Sequence, residues 1–543
     1  MTLNSELRDA AFRWIADDPD PETRAELQGV LARAMGGDAA AAEEVADRMA
    51  GPLEFGTAGL RGPVRAGPNG MNVAVVTRTT AGVAAWLTAQ GHAGATVVVG
   101  RDARHGSEAF AAAAAEVLTA AGFAVKVLPG PLPTPVLAFS VRHLGAVAGV
   151  QITASHNPPA DNGYKLYDET GGQIVPPSDG EIERAIHAAP AAVSVPREPG
   201  ATVVDLRDDY LARVATLPRG PERSVRVAAT ALHGVGADTL RLAFERAGFP
   251  DLHLVTEQST PDPDFPTVSF PNPEEPGATD LLLALASEVD ADVAIALDPD
   301  ADRCALGVRQ DGEWRMLRGD ETGVLLGSHV LSTMDRAVTP DPLVATTIVS
   351  SSMLGEVAKA AGARYAETLT GFKWLVRAGE GLVFAYEEAL GLCVNPEFVR
   401  DKDGIAAAVF AAGLAASLKA QSRSLLDVLD ELATRHGVYL TDQVSLRVTD
   451  LAVRGRIMAG LRATQPEQLG GVAVTLDDLL PDADVLRLTG EGLRVVIRPS
   501  GTEPKLKAYL QVTEAVTGSL ADARAAAAAR LSALRTDVEA LLA

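Results

Sequence analysis

Three aspartates separated by single residues follow one of the most apolar segments of the chain. The loop reads DPDADR and comes directly after the apolar run Val293–Leu297. Three carboxylates at positions i, i+2 and i+4 of a tight loop can converge on one hard cation, and after a buried strand they would repel one another without it. We therefore predict that Asp298, Asp300 and Asp302 bind a metal ion, with a solvated polar turn as the alternative. Arg303 excludes an EF-hand, which needs glycine there, and adds a permanent charge suited to phosphate.

A serine stands just beyond another apolar run. The segment TASHNP, which contains Ser155, follows Ala146–Ile152 and therefore lies where ligands bind in open α/β sheets. A simple turn is the alternative, because Ser, Asn and Pro are ordinary turn residues. A serine hydrolase is disfavoured, since no G-x-S-x-G motif is present. Neighbouring side chains of an extended segment point to opposite faces, so His156 is predicted to be a poor hydrogen-bond partner for Ser155.

A third polar segment combines the donors that bind phosphate. It reads RPSGTEPKLK from Arg498 and follows the strand predicted at Gly492–Ile497. We predict a phosphate-binding loop, because the segment combines an arginine, two hydroxyls, two lysines and a glycine that exposes backbone N–H groups. A polar hairpin loop is the alternative, and a Walker A loop is excluded by its missing consensus.

Weaker candidates lie in three other segments. Gly56–Gly62 is either an anion loop or a flexible entry to the first domain. Gly371–Trp374 is either a specificity loop or part of the core. The pair Glu387 and Glu388 either binds sugar hydroxyls or begins a helix, where the macrodipole favours acidic residues.

The elements that position these loops alternate in type. Apolar runs such as Ala95–Val99 and Val125–Leu128 flank the Ala-rich helical segment Ser107–Ala121. Strand, helix and strand at short spacing need crossover connections and predict a largely parallel sheet. The C-terminal part instead predicts an α+β layout, with strands at Tyr439–Val448 and Val485–Ile497.

This alternation predicts four domains. Residues 1–200 form the first, with a helical extension over 1–50, and residues 201–314, 315–435 and 436–543 form the others. The Pro- and Ala-rich stretch Ala188–Gly200 is predicted to be a linker. A chain of 543 residues exceeds the size at which single cores stop growing, which agrees with several domains.

Composition excludes several classes of function. The formal net charge of −23 disfavours binding to nucleic acid or to anionic membranes, and no apolar run is long enough to cross a bilayer. The N-terminal sequence lacks the apolar region of a secretion signal. The two cysteines are too few for a disulfide framework, so a reducing cytoplasm is expected. Any anionic substrate must be held by local cations and backbone N–H groups.

Four segments in fixed order, TASHNP, DPDADR, EEALG and RPSGTEPK, together resemble the α-D-phosphohexomutase superfamily, and the resemblance runs from Gly56 to Leu510. It implies an α/β fold of three similar domains with mainly parallel, mixed sheets and a C-terminal α+β domain around a central active-site cleft. It implies a phosphosugar mutase with a phosphoserine, Mg2+ and a sugar 1,6-bisphosphate as activator and intermediate. The partner is a small sugar phosphate, with no nucleic acid or membrane, and the chain is expected to be a monomer or homodimer.

The resemblance also assigns roles to residues. Ser155 is the phosphorylated serine, a phosphoserine oxygen joins Asp298, Asp300 and Asp302 on the metal, and Lys165 is the general acid or base with His156 nearby. Arg303 belongs to the same catalytic group. Lowering the pKa of Lys165 from its usual value would require nearby cations. The substrate-binding residues it implies are Arg61, Lys373, Glu387, Lys402, Arg498, Ser500, Gly501 and Thr502, and Arg101 and His233 also resemble cleft-lining positions.

Two departures bear on the substrate. The sugar loop usually reads G-E-x-S, whereas this chain has Tyr386, Glu387, Glu388 and Ala389, and so lacks the serine. The N-terminal loop reads GTAGLR, and with TALHGVG it resembles the branch of phosphoglucomutase-2-like and phosphopentomutase proteins. Interconversion of glucose 1-phosphate and glucose 6-phosphate is the expected reaction, with phosphomannomutase or phosphopentomutase activity as alternatives. More distant alternatives are a haloacid-dehalogenase-type phosphatase and a non-catalytic sugar-phosphate-binding protein.

Overall fold

The computed structural model describes residues 3–54, 59–447, 451–499 and 505–542. The chain divides into two compact units, of which the first contains Met1–Met316 and Gly391–Ala416 and the second contains Leu317–Leu390 and Ser417–Ala543. The boundaries of the four domains drawn from the sequence stay a prediction.

Three helices open the first unit, which confirms the helical spacing of residues 1–50. They are Ser5–Asp17, Pro21–Met35 and Ala39–Arg48. Each begins after an Asn or Asp whose side chain accepts a hydrogen bond from a first-turn N–H group, the usual way to satisfy a helix N-terminus. Their shared core includes Leu27, Leu31 and Val45.

The first sheet is a mixed, six-stranded one that carries the serine loop. Its strands lie in the order Leu60–Pro63, Asp161–Asp168, Ala148–Ile152, Thr96–Arg101, Ala124–Pro131 and Thr202–Val203. The last four pair in parallel, and the first two are antiparallel additions. The helices of this region are Val73–Ala89, Ser107–Ala120, Thr134–His143, Ser178–Ala188 and Arg207–Val214. The predicted linker packs against this region, because Ala192 and Val195 are buried.

A second, five-stranded sheet carries the aspartate loop. Its order is Glu313–Met316, Cys304–Gln310, Val293–Leu297, Val227–Thr230 and Leu252–Leu254. The last three strands are parallel and the first two are antiparallel to their neighbours. The helices are Gly236–Ala247 and Asp280–Glu288, and the unit ends with the strand Gly391–Cys393 and most of the helix Gly404–Ala420. Both loops therefore connect a central parallel strand to an antiparallel partner.

The second unit contains two different sheets. The strand Leu343–Thr347 pairs in parallel with both Arg364–Thr368 and Leu382–Glu387. An entirely antiparallel sheet follows, in the order Val438–Arg447, Lys505–Glu514, Leu493–Pro499, Leu486–Gly490, Val472–Asp478 and Gln468–Leu469. The helices are Gly319–Thr333, Met353–Ala360, Phe372–Leu375, Leu425–His436, Leu451–Ala463 and Leu520–Leu542. The predicted strand Val485–Ile497 is in fact a hairpin of two strands, and Gly492, with a φ of 62°, allows the tight turn between them.

These sheets confirm the predicted fold class of mixed, mainly parallel α/β sheets followed by an α+β part. Among the described helices, no single one is long and apolar enough to cross a membrane. By length and composition alone, Gly404–Ala420 and Leu425–His436 pass such a test as a pair, bent by 89° at their break.

Candidate active site

The backbone of Ser155 adopts a left-handed conformation. Its φ is 54°, in a region that residues other than glycine seldom occupy. The Ser155 N–H donates to Thr153 Oγ1 at 2.9 Å, which closes a small turn after the strand Ala148–Ile152. The side chain is buried, and its Oγ donates to Asp298 Oδ2 at 2.8 Å. The two loops singled out in the sequence therefore meet at Ser155.

His156 contacts Ser155, and the prediction that their side chains diverge was wrong. The Ser155 Oγ lies 3.2 Å from His156 Nδ1. The prediction assumed an extended backbone, whereas the left-handed Ser155 turns both side chains to the same side. The guanidinium of Arg303 also contacts the imidazole. Burial, with the charges of Arg303 and Arg61, holds the pKa of His156 well below its usual value, so the ring is neutral.

The three aspartates converge, as their spacing predicts. One ligand oxygen from each of Asp298, Asp300 and Asp302 lies within 4.8 Å of the others, and all three residues are fully buried. Ala301 takes a left-handed φ of 55°, and its N–H donates to the Asp298 carbonyl, which tightens the loop. The Arg303 N–H donates to Asp298 Oδ1 at 3.0 Å.

This cluster fits a divalent cation with oxygen ligands. Asp300 Oδ1 and Asp302 Oδ1 are buried and accept no hydrogen bond from the described residues. Buried carboxylate oxygens are costly without a partner, and Mg2+ is the kind of hard cation that they bind. Burial and the adjacent Asp300 and Asp302 carboxylates raise the pKa of Asp298 well above its usual range. A cation there would supply charge neutralisation for a transferring phosphoryl group.

Lys165 pairs with two of the three aspartates. It lies on the strand Asp161–Asp168, and its Nζ donates to Asp300 Oδ2 at 2.6 Å and to Asp302 Oδ2 at 2.8 Å. Burial disfavours its charged form, but the two carboxylates outweigh that effect and raise the pKa of Lys165. The cations of Lys402 and Arg61 lower it less. The sequence-based requirement for a lowered pKa is therefore not met by these side chains, which keep Lys165 as a proton donor.

Segments remote in sequence hold the aspartate loop in place. The Thr134 Oγ1 donates to Asp300 Oδ2 at 2.6 Å, a contact that the sequence did not indicate because Thr134 lies outside the segments singled out there. Lys402 Nζ lies 3.4 Å from Asp302 Oδ2. Gly234 approaches the loop so closely that a Cβ would lie 2.3 Å from the Cα of Pro299. Only glycine fits there.

Three further candidates of the first unit, Arg61, Arg101 and His233, differ in how directly they contact the serine loop. Arg61, on the strand Leu60–Pro63, donates to Asn157 Oδ1 at 3.3 Å, beside the serine loop. Arg101 ends the strand Thr96–Arg101 and lies 3.6 Å from Glu108. The His233 ring contacts Thr267 Oγ1 at 2.8 Å. Contacts to the reacting centre thus support Arg61 more directly than the other two.

The second unit holds the remaining candidates. Lys373 lies in the short helix Phe372–Leu375, with its Nζ 5.7 Å from the ring centre of Trp374. Glu387 ends the strand Leu382–Glu387 and is buried. Arg498 is half-buried near the end of the strand Leu493–Pro499. Ser500, Gly501 and Thr502 lie outside the described residues.

Glu388 directly follows the strand Leu382–Glu387 in the predicted sugar loop and is half-buried. Its Oε2 accepts hydrogen bonds from Ser350 Oγ at 3.0 Å and from Thr347 Oγ1 at 3.2 Å. Burial, then the charges of Glu387 and Asp320, raise the pKa of Glu388 to about 7. The sequence offered this pair as a grip on sugar hydroxyls or a helix start, and the contacts of the half-buried Glu388 with Ser350 and Thr347 were not expected.

Comparison with known proteins identifies the family. The four domains of phosphoglucomutase/phosphomannomutase match in order: alpha/beta/alpha domain I over residues 52–192, domain II over 208–312, domain III over 318–436 and the C-terminal domain over 446–528. The chain belongs to the phosphoglucomutase/phosphomannomutase family. It is thus a member of the α-D-phosphohexomutase superfamily and a mutase, as the motifs predicted.

Individual relatives differ in the substrate that their names give. A "Probable phosphomannomutase" of Haemophilus influenzae is 41% identical, over 81% of this chain and 93% of its own. A "Phosphopentomutase" of Mus musculus is 32% identical, over 94% of this chain and 91% of its own. Among solved structures, a putative phosphomannomutase of Thermus thermophilus has a TM-score of 0.70 and 25% identity, over 90% of this chain and 99% of its own. The family membership is therefore clear, and the sugar is a separate question.

Proposed function

We propose that this family member interconverts sugar 1-phosphate and sugar 6-phosphate through a phosphorylated Ser155, with glucose as the sugar. The observation that carries the proposal is the placement of the Ser155 Oγ 2.8 Å from Asp298 and 3.2 Å from the His156 ring. A nucleophilic oxygen beside a metal-binding carboxylate and a neutral imidazole is suited to phosphoryl transfer.

The proposed cycle uses Ser155 twice. The bond between phosphorus and Ser155 Oγ breaks as a sugar hydroxyl oxygen binds the phosphorus, and that hydroxyl proton passes to a basic group of the enzyme. The resulting sugar 1,6-bisphosphate then returns its other phosphoryl group to Ser155. Lys165 contacts Asp300 and can donate a proton, and His156 contacts Ser155 and can accept one, which agrees with these two transfers.

The non-reacting phosphate needs a second group of donors. We assign this role to Arg498, Ser500, Gly501 and Thr502, on the motif that these residues share with the family. Arginine offers a planar fork of N–H groups that matches phosphate oxygens. Lys373 and Glu387 are proposed to contact the sugar or its phosphate.

A pentose phosphate is the second candidate substrate. Ala389 stands where the family usually has serine, so one hydroxyl contact to the sugar is missing. The similarity to a phosphopentomutase over 94% of the chain points the same way. Coupled assays on glucose 1-phosphate, mannose 1-phosphate and ribose 1-phosphate separate the three activities by kcat/KM, and a tenfold preference for mannose 1-phosphate over both others would contradict the proposal.

The role of Ser155 is tested by Ser155→Ala. Turnover and the phosphate mass gain of the intact protein are both expected to disappear. Ser140→Ala is the matched control, because Ser140 is also buried and its Oγ donates to the Val136 carbonyl within a helix. More than a few per cent of wild-type activity in pure Ser155→Ala protein would remove Ser155 as the phosphoryl carrier.

A further inference from the structure

A buried arginine donates hydrogen bonds to the backbone of the loop that contains Ser155. Arg104 follows the strand Thr96–Arg101 and is only 4% exposed. Its two terminal nitrogens donate to four carbonyl oxygens, those of Ser155 at 2.7 Å, Asn157 at 2.6 Å, Pro158 at 2.8 Å and Asp161 at 3.1 Å. One planar group thus binds the whole connection between the strands Ala148–Ile152 and Asp161–Asp168.

The arginine is itself held on several sides. Its N–H donates to Asp102 Oδ1 at 3.0 Å, and its Nε lies 3.5 Å from Asp102 Oδ2. Asp102 accepts a further hydrogen bond from Ser107 Oγ. The guanidinium carbon lies 5.0 Å from the ring centre of Phe265, within the range of a cation–π contact. A buried charge is tolerated when it is paired and hydrogen-bonded in this way.

These contacts account for an unusual loop. Four carbonyls that point to one place would repel one another, and Ser155 is additionally held in a left-handed conformation that a serine seldom adopts. A guanidinium offers donors in a fixed plane and can satisfy several carbonyls at once, whereas an ammonium cannot match that fork. The hydrogen bonds from Arg104 therefore stabilise the backbone of the loop that carries Ser155.

We propose that Arg104 is a positioning residue for phosphoryl transfer, which holds the Ser155 loop so that Ser155 Oγ faces Asp298 and His156. The proposal rests on the proposed function of Ser155. The Arg104 terminal nitrogens donate to four backbone carbonyls, so the effect of Arg104 on Ser155 passes through the loop. A small displacement of a reacting atom is costly, since about 1 Å can reduce a rate by roughly 10²-fold.

The test compares Arg104→Lys and Arg104→Ala with the wild-type protein. We expect kcat, and the rate at which a sugar 1,6-bisphosphate phosphorylates Ser155, to fall together by roughly 10- to 100-fold, with KM within about twofold. The affinity for Mn2+, used as a spectroscopic substitute for Mg2+, should be retained. Free guanidinium ion, at concentrations that leave the wild type folded, should restore part of the Arg104→Ala rate.

Arg48→Lys is the matched control. Arg48 is also buried, donates to a backbone carbonyl, that of Ala66, and pairs with Glu26 and Glu44 in the helical extension. A merely structural role of a buried arginine predicts that Arg48→Lys and Arg104→Lys lower the unfolding temperature alike and leave kcat unchanged.

Two outcomes overturn the proposal. The first is an Arg104→Lys protein whose kcat and Ser155 phosphorylation rate lie within twofold of wild type. The second is a raised KM with unchanged kcat, which would place Arg104 in substrate binding. If Arg104→Ala does not fold, Arg104→Lys decides. Absence of Ser155 phosphorylation in the wild type would instead contradict the proposed function, so the two failures are distinguishable.

Discussion

Replacing Glu388 by glutamine should stabilise the protein increasingly as pH rises from about 4.5 to about 7, and by a constant amount above that. Its folded-state pKa is about 7, against 4.5 for a free glutamate, because of burial and then the charges of Glu387 and Asp320. A carboxyl with a raised folded pKa destabilises the fold where it ionises, so this cost is absent below about pH 4.5, grows as pH rises and is complete above about pH 7. At about 1.36 kcal/mol for each pKa unit, the full cost is about 3 kcal/mol.

Glutamine keeps the shape and an acceptor oxygen for Ser350 and Thr347, but never ionises. For the second unit, of roughly 200 residues, 1 kcal/mol corresponds to roughly 2–4 °C in unfolding temperature. We therefore expect Glu388→Gln to unfold roughly 6–12 °C above wild type at about pH 8, and close to it at about pH 5. Glu356→Gln, at an exposed position of the same unit, is the control.

The assay is thermal unfolding of the three proteins across this pH range, followed by circular dichroism. The charges that act on Glu388 are those of Glu387 and Asp320. The hydroxyls of Ser350 and Thr347 can donate to glutamate or to glutamine at position 388, so these hydrogen bonds do not distinguish the two proteins. A difference between Glu388→Gln and wild type that is the same at both pH values, or larger at the lower one, would refute the reasoning, since only an ionisation can give the predicted dependence.

The other predictions concern the metal and the distant phosphate. Asp300→Asn should weaken Mn2+ binding, measured by spin resonance, and reduce turnover, whereas the exposed Asp290→Asn should do neither; full activity in excess chelator would contradict a metal role. Arg498→Ala should raise KM by roughly 10- to 150-fold, because a hydrogen bond to a charged group contributes roughly 1.5–3 kcal/mol, and should release sugar bisphosphate during turnover. Arg524→Ala, an exposed arginine of the same unit, is the control; unchanged KM with lost Mn2+ affinity would place Arg498 at the reacting centre.

The loops that carry chemistry could be located from the sequence because each follows an apolar strand. Val293–Leu297 is a fully buried central strand, and the polar residues after it had to lie at its end. The spacing of Asp298, Asp300 and Asp302 then sufficed to predict their convergence. Fold class followed from the same alternation, since parallel strands need helical crossovers.

The relation between Ser155 and His156 could not be predicted, because it depends on one backbone angle. Local preference favours an extended or turn conformation, whereas Ser155 has a left-handed φ of 54°. The pKa of Lys165 could not be predicted for a similar reason. Its pKa depends on two carboxylates more than a hundred residues away, whose distance from Nζ no sequence pattern gives.

Residues that act on the backbone of a loop leave little trace in a sequence. Thr134 and Arg104 bind the Asp300 and Ser155 loops from outside the segments singled out in the sequence, and the partners of Arg104 are carbonyls, which every residue has. A sequence motif can therefore indicate the residues that react, but not the residues that position them. If Arg104 positions Ser155 as proposed, then a related chain could keep all four motifs and still be a slow mutase. A substitution at the position of Arg104 would then explain the low rate.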